Sequence, residues 1–394
     1  MKILFTHDHK FCRTADGIYL SDGQFPYRLW QRYLEVFDEI VVAARVRAPE
    51  PGEDLSRLDV SSGPKVSFVE IPSLSNPVAM FTKRREAAGR LRQALAGCDG
   101  LIARISEISL LAAEVADELN KPWLTEVVYC PFDSLWNYGN WQGKMYAHYS
   151  AYKTARMTRR APFAVYVTRE FLQRRYPCAG RILSCSDVQL IKSNEDVLTK
   201  RLEKIRGMRD SIRIGLVGSL SRYKGIDTAL QAVRLLRQEG RNIQLAILGG
   251  GKPDYWEQLA DKNNVRDITE FCGVLPNGEA VNTWLDAVDI YIQPSYQEGL
   301  PRALVEAMNR GCPAVGSSAG GIPELLAPEW IHRPGDSQGL AGLLGKMIEE
   351  RSLLATEARR NFQEASKYDK GHLDQIRQDF WREFIDYAKS GVER

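Results

Sequence analysis

Two glutamates with seven residues between them, Glu298 and Glu306, have the clearest potential for binding chemistry in this sequence. Glu298 lies beside Gly299 and Pro301, which predicts a turn, and Glu306 lies in a segment with helical spacing. A carboxylate accepts hydrogen bonds, so it can bind the hydroxyl groups of a sugar. Two carboxylates at different depths of one crevice can hold two different rings. The alternative is structural: Glu298 caps the helix and Glu306 is solvated on its surface.

The residues around this pair predict a strand, a turn and a helix in succession. The apolar stretch DIYIQPS is short and bounded by polar residues, which is typical of a buried parallel strand that ends near Ser295. From Arg302 onward apolar residues recur with helical spacing, and Pro301 suits the first turn because its missing N–H costs nothing there. Such a unit presents free amide groups and the positive helix end at the sheet edge where open parallel sheets bind ligands.

Two longer sequences, EGLPRALVEAM and GCPAVGSSAGGIPEL, contain this pair and the residues that follow it. They resemble the donor-site signature of glycosyltransferase family 4, whose members are retaining glycosyltransferases of the GT-B architecture. That signature pairs two glutamates at this spacing and continues with a glycine pair and Pro-Glu, matched by Gly320, Gly321, Pro323 and Glu324. The resemblance implies an α/β fold with two Rossmann-like, doubly wound parallel-sheet domains and a cleft between them. It also implies transfer of a sugar from a nucleoside diphosphate sugar to an acceptor hydroxyl.

By this resemblance, each part of the donor has an expected partner in the signature. Glu306 would bind the ribose hydroxyls of the sugar nucleotide, and Glu298 would orient the transferred sugar. The backbone amides of Gly299 and Leu300 would contact the diphosphate. The family retains anomeric configuration by same-face attack in which the departing phosphate takes the acceptor's proton. Glu298 is therefore expected to orient the donor and not to act as a nucleophile.

A second segment, IRIGLVGSLSRYKGIDTALQAV, predicts a strand that ends at Gly218, a polar loop and a helix. In the family, a basic residue just before the glycine that opens this helix contacts the donor diphosphate, and Lys224 occupies that place. Gly218 and Ser219 are expected to line the donor site, although many members carry an arginine where this chain has Ser219. Arg222 could supply the missing cation, and the alternative is a solvated loop charge. Lys224, Arg222 and Glu298 are the candidate catalytic residues.

The expected chemistry needs positive charge at the leaving diphosphate. One class of transferase uses a divalent metal bound by Asp-x-Asp, and this chain has no such motif, so neither a metal nor another cofactor is expected. A helix N-terminus contributes typically ~0.3–1 kcal/mol, which is too little alone, so Lys224 has to supply most of the charge. His7, Asp8 and His9 could suggest a metal site. We favour the alternative that they end a strand and line a polar crevice, since no further carboxylate partner is evident.

Three further residues are candidates for donor contacts. The first glycine loop is not a GxGxxG fingerprint, which argues against a nicotinamide site. Family members usually carry adjacent glycines there beside the diphosphate, and Gly23 is the nearest equivalent. In the second half of the chain, the family's loop that meets the nucleobase corresponds to ITEFCGVLPNGE, which makes Val274 and Leu275 candidates.

The stretch from Asp133 to Trp141 is a candidate site for the acceptor. Trp136, Tyr138 and Trp141 lie in a segment rich in Gly and Asn, and their flat rings suit stacking on sugars. Loops on a rigid sheet commonly carry specificity, so we predict a loop here with Asp133, Trp136 and Trp141 facing a saccharide or lipid-linked saccharide. Arg104, after a predicted strand, would bind an anionic acceptor or phosphate, and the alternative is a structural ion pair.

Two basic segments in the first half of the chain could either be exposed on the surface or pack against the core. The segment Met80–Arg85 follows apolar residues and contains three consecutive cations, which could contact the inner leaflet of a membrane. The alternative, which we favour, is a helix packed on the sheet with a solvated basic face. Tyr149, Tyr152 and Arg156 recur at helical spacing, which we interpret as core packing.

Length and periodicity predict the domain organisation. A chain of 394 residues exceeds the size of one growing core, so two domains are expected. We predict an N-terminal acceptor-binding domain over 1–184, a linker with a solvated helix over 185–211 and a donor-binding domain over 212–371. The resemblance to GT-B enzymes implies that a final helix, over 372–394, crosses back to the first domain. Its docking aromatics would be Phe380, Trp381, Phe384 and Tyr387.

Composition describes an ordinary soluble globular protein, with 44% hydrophobic and 26% charged residues. The net charge of +3 and the lack of a basic stripe with interleaved aromatics argue against nucleic acid as a partner. Seven scattered cysteines without a CxxC pair favour reduced thiols over zinc or disulfides. With no apolar run of membrane-spanning length and no signal peptide, we expect a cytoplasmic protein that is either free or peripheral at the inner membrane face.

Two other functions remain open from the sequence. A sugar-nucleotide epimerase or a phosphorylase can share this architecture, but neither accounts as well for Glu298 and Glu306. A non-catalytic protein that only binds a sugar nucleotide or a partner enzyme is the other alternative, and Ser219 and the reduced first glycine loop favour it. The donor sugar, its base, the acceptor and the oligomeric state are not specified by these motifs.

Overall fold

The apolar stretches predicted as strands pair into two separate sheets in the computed structural model of this protein. The structure describes residues 1–74, 76–137, 141–208, 211–276 and 278–392. The predicted α/β fold class, with two doubly wound parallel-sheet domains, is confirmed. No helix in the described ranges combines the length and the apolar character needed to cross a bilayer.

The first sheet is built by strands between Lys2 and Ser184. Its strands are β1 (Lys2–Arg13), β2 (Tyr19–Ser21), β3 (Glu39–Arg47), β4 (Asp59–Val60), β5 (Val66–Glu70), β6 (Gly100–Arg104), β7 (Trp123–Val127), β8 (Phe163–Tyr166) and β9 (Arg181–Ser184). The parallel part has the order β5-β3-β1-β6-β7-β8-β9, and β2 and β4 extend the end of β1 as antiparallel strands. Because the chain winds outward from β1 in one direction and then restarts at β6 on its other side, the sheet has a switch point between these two strands.

The helices of this half connect successive strands. They are α1 (Tyr27–Leu34), α2 (Pro77–Thr82), α3 (Arg84–Ala96), α4 (Glu107–Glu118), α5 (Pro131–Trp136), α6 (Trp141–Arg160) and α7 (Phe171–Arg175). Strands β6 and β7 are buried over nearly their whole length, which explains their continuous apolar sequences and the need for helices on both faces.

The second sheet is entirely parallel, with the order β12-β11-β10-β13-β14-β15. Its strands and the helices around them are α8 (Glu195–Arg206), β10 (Ile212–Val217), α9 (Ile226–Gln238), β11 (Ile243–Leu248), α10 (Asp254–Lys262), β12 (Thr269–Phe271), α11 (Glu279–Ala287), β13 (Ile290–Gln293), α12 (Arg302–Asn309), β14 (Ala314–Ser317), β15 (Ile331–His332), α13 (Ser337–Glu349), α14 (Arg351–Ala365) and α15 (Lys370–Val392). The chain winds outward from β10 to β12 and restarts at β13, so the carboxyl ends of β10 and β13 meet at a switch point.

Helix α8 is not the solvated linker helix that the sequence suggested. Ile205 is buried in the core of the second sheet, and the guanidinium of Arg201 is buried among backbone carbonyls. It donates to the carbonyls of Leu285 at 2.9 Å and Arg310 at 3.1 Å. The charged sequence hid this packing because the buried cation is satisfied by carbonyl groups distant in sequence, which no local pattern reveals.

The C-terminal helix α15 packs on the first domain, as expected from its aromatic residues. Trp381 is fully buried and stacks on Tyr33 of α1 with ring centroids 4.6 Å apart. Phe380 and Phe384 are buried against Phe163 of β8, at 5.3 and 5.5 Å. Tyr387 also contacts Phe163 but stays 47% exposed, so it lies at the edge of this contact.

Candidate functional site

The switch point of the second sheet brings the two main candidate residues together. Lys224 lies in a 3-10 turn after β10, and Glu298 lies in the loop after β13. The Nζ of Lys224 donates to the Oε1 of Glu298 at 2.7 Å, and both side chains are largely buried. An open α/β sheet binds its ligands at this position, so the pair places a cation and a carboxylate at the expected edge.

Three further polar side chains hold Glu298 in place. Ser295 Oγ and Gln293 Nε2 donate to the same carboxylate oxygen at 2.7 and 3.0 Å. Gln293 in turn accepts a hydrogen bond from the buried hydroxyl of Tyr291 at 2.8 Å. Burial, with the nearby charges of Glu298 and Glu306 adding to it, raises the pKa of Tyr291, so this hydroxyl remains a donor.

Gln293 and Ser295 were not singled out from the sequence, although a signal was present. Two polar residues at positions i and i+2, at the end of an otherwise apolar strand, point to the same side of the sheet. At the carboxyl end of a buried parallel strand, such a pair needs a partner. The partner here is the carboxylate of Glu298.

Close backbone approach requires glycine at two places in this site. Gly218 lies against the aliphatic stem of Lys224, and a Cβ there would come within 3.1 Å of the lysine Cδ. Gly225 has a φ of +71° and packs against the carbonyl of Pro294, which any larger residue would displace. The absence of a side chain at these two glycines therefore leaves the space through which the Lys224 side chain extends to Glu298.

Glu306 lies on the second turn of α12, in a partly buried position. Burial raises the pKa of its carboxyl, and the positive charge of Arg302 opposes that shift. Pro301 is the residue before this helix, with extended backbone, and not part of its first turn as predicted.

The loop between Glu298 and α12 makes contact with both domains. No described residue accepts a hydrogen bond from the amide groups of Gly299 or Leu300. A Cβ at Gly299 would clash with the carbonyl of Val128, which follows β7 of the first domain. The side chain of Leu300 is buried. The N–H groups of Gly299 and Leu300 thus lie where the domains meet, and both can still donate a hydrogen bond to a ligand.

Ser219 and Arg222 lie on the same sheet edge but make local contacts. The hydroxyl of Ser219 is 2.9 Å from that of Ser221 and 3.3 Å from that of Tyr223. The exposed guanidinium of Arg222 lies over the ring of Tyr255, 5.6 Å from its centroid, at the start of α10. Arg222 is therefore a rim residue of this edge, and Lys224 is the one that reaches Glu298.

The remaining donor candidates differ in their surroundings. Val274 is exposed and lies next to Gly250, in the loop after β11, which places it on the same edge as Lys224. Leu275 is half-buried against the core. Gly23 is exposed, has a φ of +88°, and lies in the loop before α1.

Arg104 belongs to a buried ion-pair network, which is the structural alternative for this residue. Its guanidinium donates to Glu126 at 2.9 Å and to Asp187 at 2.5 Å. Burial opposes ionisation of Asp187, but the charges of Arg104, Arg377 and Arg32 outweigh it and lower the pKa of that carboxyl. With both acidic partners in place, Arg104 is not free to bind an anionic acceptor as predicted.

The predicted acceptor loop is mostly helical. Asp133 and Trp136 lie in α5 and Trp141 begins α6, whereas Tyr138 lies outside the described residues. Asp133 pairs with Arg175 at 3.2 Å. Trp136 stacks on Phe132 with ring centroids 5.4 Å apart, and the Nζ of Lys144 lies over the same indole, 5.4 Å from its centroid, so these neighbours limit the access of a ligand to the ring.

One residue of the signature has a role that its motif did not reveal. Glu324 accepts hydrogen bonds from the backbone amides of three residues of the first domain: Arg169 at 2.5 Å, Glu170 at 3.1 Å and Phe171 at 2.8 Å. These are free amides at the start of α7. Glu324 therefore links the two domains by hydrogen bonds. This contact lies beside the loop of Glu298, where the amide of Gly321 donates to the carbonyl of Gly299.

His7, Asp8 and His9 do not end the strand as predicted, because β1 continues to Arg13; they lie at the shift in its pairing with β3 between Thr6 and Lys10. The Nε2 of His9 is 3.0 Å from the hydroxyl of Ser21, and the Nδ1 of His7 accepts the amide of His9 at 2.9 Å. Burial, assisted by the charge of Arg104, lowers the pKa of His7 well below its usual range. Across the described ranges, no group of three or more His, Cys, Asp or Glu side chains is arranged to hold a metal ion.

Comparison with known proteins gives this geometry a family. The model of the family "Glycosyl transferases group 1" matches residues 201–369, which include Lys224, Glu298, Glu306 and Glu324. Protein CapJ of Staphylococcus aureus is 31% identical over 392 residues, which cover 99% of this chain and 96% of CapJ.

Solved structures are similar over nearly the whole chain. HepE of Anabaena, in complex with UDP-glucose, has a TM-score of 0.63 at 18% identity, with 99% of this chain and 100% of HepE covered. WaaG, a glycosyltransferase involved in lipopolysaccharide biosynthesis, has a TM-score of 0.63 at 17% identity, with 96% of this chain and 98% of WaaG covered. These likenesses show the GT-B fold. The chain is a glycosyltransferase that belongs to the family of glycosyl transferases group 1.

Proposed function

We propose that this protein transfers a sugar, with retention of configuration, from a nucleoside diphosphate sugar to an acceptor hydroxyl. The observation that carries the proposal is the Lys224–Glu298 pair at the switch point, beside the free amides of Gly299 and Leu300. Cations and preorganised amides are the groups that stabilise a leaving diphosphate. HepE, with the same fold, binds UDP-glucose, which supports a donor of this class.

In the proposed reaction, the bond between the anomeric carbon and the diphosphate oxygen breaks as the acceptor oxygen bonds to the same face of that carbon. The proton of the acceptor hydroxyl passes to the departing phosphate. Lys224 neutralises the charge that builds up on the diphosphate, together with the amides of Gly299 and Leu300 and, from the rim, Arg222. Glu298 orients the sugar, and Glu306 binds the ribose hydroxyls. No step needs a metal, because the cation is already supplied by the chain.

The product is proposed to be a surface polysaccharide or glycolipid of a bacterium, made in the cytoplasm. WaaG, which acts in lipopolysaccharide biosynthesis, shares the fold, and this supports that class of product. The first domain is proposed to bind the saccharide acceptor, with the exposed ring of Trp141 and the exposed part of Trp136 as stacking surfaces. The epimerase and the non-catalytic binder are distinguished by the experiments below.

A panel of sugar nucleotides in a thermal-shift assay tests the donor class. A ligand that binds only the native state stabilises it by about 2.7 kcal/mol at a hundred times its dissociation constant, so the preferred donor should stand out. Transfer to an added acceptor, followed by NMR of the anomeric proton, then tests retention. Interconversion of the donor sugar without transfer would indicate an epimerase, binding without turnover a non-catalytic protein, and loss of transfer with chelator would contradict metal independence.

The affinity for the donor should depend on pH through Glu306. Because burial raises the pKa of this carboxyl, it loses its charge at a higher pH than an ordinary glutamate, so donor affinity should fall on mild acidification. Glu306→Gln keeps an acceptor oxygen and should flatten that pH dependence. Glu306→Ala should weaken binding by about ten- to a hundredfold, the usual range for a hydrogen bond to a charged group. Titration calorimetry across pH measures both effects.

The matched control for this pair of variants is Glu239→Gln, an exposed glutamate at the end of α9. It should leave the affinity and its pH dependence as in the wild type. An unchanged donor affinity in Glu306→Ala would contradict the ribose assignment.

A further inference from the structure

Helix α6 exposes an apolar and aromatic stripe along one side. Met145, Tyr149 and Tyr152 are 68%, 54% and 63% exposed, and they share a helical face with Trp141. The opposite face, which includes Ala147 and Met157, is buried against the domain. The expectation that this helical spacing packs into the core is therefore wrong for the tyrosines. The helical periodicity is confirmed, but the buried face is the opposite one, which contains Ala147 and Met157.

The neighbouring short helix α2 also exposes apolar side chains. Phe81 is 89% exposed and Val78 71% exposed, although both are large apolar residues. The two helices touch where the hydroxyl of Tyr146 lies 3.3 Å from the sulfur of Met80. The two helices therefore adjoin on the first domain, and both carry exposed apolar side chains. We call the exposed apolar and aromatic side chains of these two helices the α2–α6 face: Val78, Phe81, Met145, Tyr149 and Tyr152.

Cations border this face at two places. Helix α6 contains no acidic residue in its whole length. Arg156 and Arg159 continue its exposed side, and Lys83 and Arg85 follow Phe81. Within the part of the chain that the structure describes, none of these four cations has a salt-bridge partner. Exposed aromatic groups and unpaired cations thus occur together on one side of the first domain.

We propose that the α2–α6 face binds the surface of an anionic lipid bilayer. Trp and Tyr side chains favour the level of the lipid headgroups, and a helix with one apolar side and a basic border lies in that plane. Each Lys or Arg near such a surface is attracted by anionic headgroups. A second copy of this chain is a poor occupant, because pairing two such faces would bring their cations together.

The position of this face suits delivery of a lipid-linked acceptor. Helix α6 starts after β7 and returns to the beginning of β8, so its first turn lies at the carboxyl edge of the first sheet. Further along α6, Tyr146 and Lys153 both donate to Glu107, at the start of α4, at 2.8 Å. This inference goes beyond the proposed transfer reaction and names where its acceptor enters. Membrane binding itself does not require donor chemistry.

Sedimentation with vesicles tests this inference with the purified full-length protein. Wild type should bind vesicles that contain phosphatidylglycerol and bind phosphatidylcholine vesicles weakly, and added salt should weaken the binding. The variant Phe81→Gln, Tyr149→Gln, Tyr152→Gln should bind the anionic vesicles at least about tenfold more weakly, since it removes the inserting groups. The variant Lys83→Gln, Arg156→Gln, Arg159→Gln should lose about tenfold or more together with most of the salt dependence.

Matched controls separate this surface from general exposure and charge. Ile191→Gln removes an exposed apolar residue elsewhere, and Arg351→Gln with Arg359→Gln removes two exposed cations from α14; both should bind vesicles as wild type does. Wild-type binding by both test variants, or no preference of the wild type for anionic vesicles, would overturn the inference. So would a dimer in solution that the aromatic variant dissociates. The thermal stabilisation of the same variants by a sugar nucleotide tests the proposed function separately: a variant that loses vesicle binding but keeps this stabilisation still binds the donor.

Discussion

Replacing Lys224 by alanine is expected to lower the rate of sugar transfer by about a hundred- to a thousandfold, the usual cost of removing one preorganised donor from a leaving-group site. Its Nζ is the positive charge held beside Glu298, while Arg222 lies away from it over Tyr255. The effect should fall mainly on turnover, because the charge on the diphosphate grows as the bond to the sugar breaks. Steady-state kinetics, with the concentration of the preferred donor varied at a fixed acceptor concentration, measures kcat and the KM for the donor separately.

The fold of this variant should survive, so the loss can be assigned to chemistry. Glu298 keeps its hydrogen bonds from Ser295 and Gln293 when the lysine is gone. Lys224→Arg should restore part of the rate because it restores the charge. Lys252→Ala, which removes an exposed lysine after β11, is the matched control and should behave as wild type. A Lys224→Ala enzyme within a few fold of the wild-type turnover would refute the assignment.

Trp381→Ala is expected to be the most destabilising single change in the contact between α15 and the first domain, by about 3–5 kcal/mol for a buried tryptophan. The indole is fully buried, stacks on Tyr33 at 4.6 Å and touches Phe37 at 5.7 Å, so its removal leaves a cavity between α15 and α1. Chemical denaturation followed by circular dichroism should show that the first domain of this variant unfolds at a lower denaturant concentration than that of the wild type.

Tyr387→Ala is the control on the same helix. Its ring contacts Phe163 but is 47% exposed, so the cost should be about 1 kcal/mol or less. Equal losses for the two variants would mean that the helix docks through its whole length and not through Trp381.

The sequence predicted the elements better than the partners of their side chains. The strand before Glu298 and the helix after it follow from local periodicity, so DIYIQPS and its continuation were assigned correctly as β13, a turn and α12. Arg104 was ambiguous because its partners Glu126 and Asp187 lie 22 and 83 positions away, and nothing local identifies an ion pair at that separation. The site motif was recognisable, but the support from Gln293 became clear only in three dimensions.

Periodicity also identifies a helix without fixing which side is buried. Tyr149 and Tyr152 recur on one face of the helix, and large aromatic side chains are more often buried than exposed. The domain instead buries the other side of α6, including Ala147, Ser150 and Met157, where this helix packs against α4 and α5. Trp136 and Trp141 were expected in a loop because Gly and Asn lie between them, whereas α5 and α6 extend up to these residues.

The carboxylate of Glu324 has a consequence for how the enzyme releases its product. It holds three amides at the start of α7, while the adjacent Gly321 is bonded to the loop that carries Glu298. Separation of the two lobes at this point must exchange these three bonds for water, next to the loop that carries Glu298. In the proposed reaction, departure of the nucleotide and parting of the lobes would therefore be coupled through the side chain of Glu324.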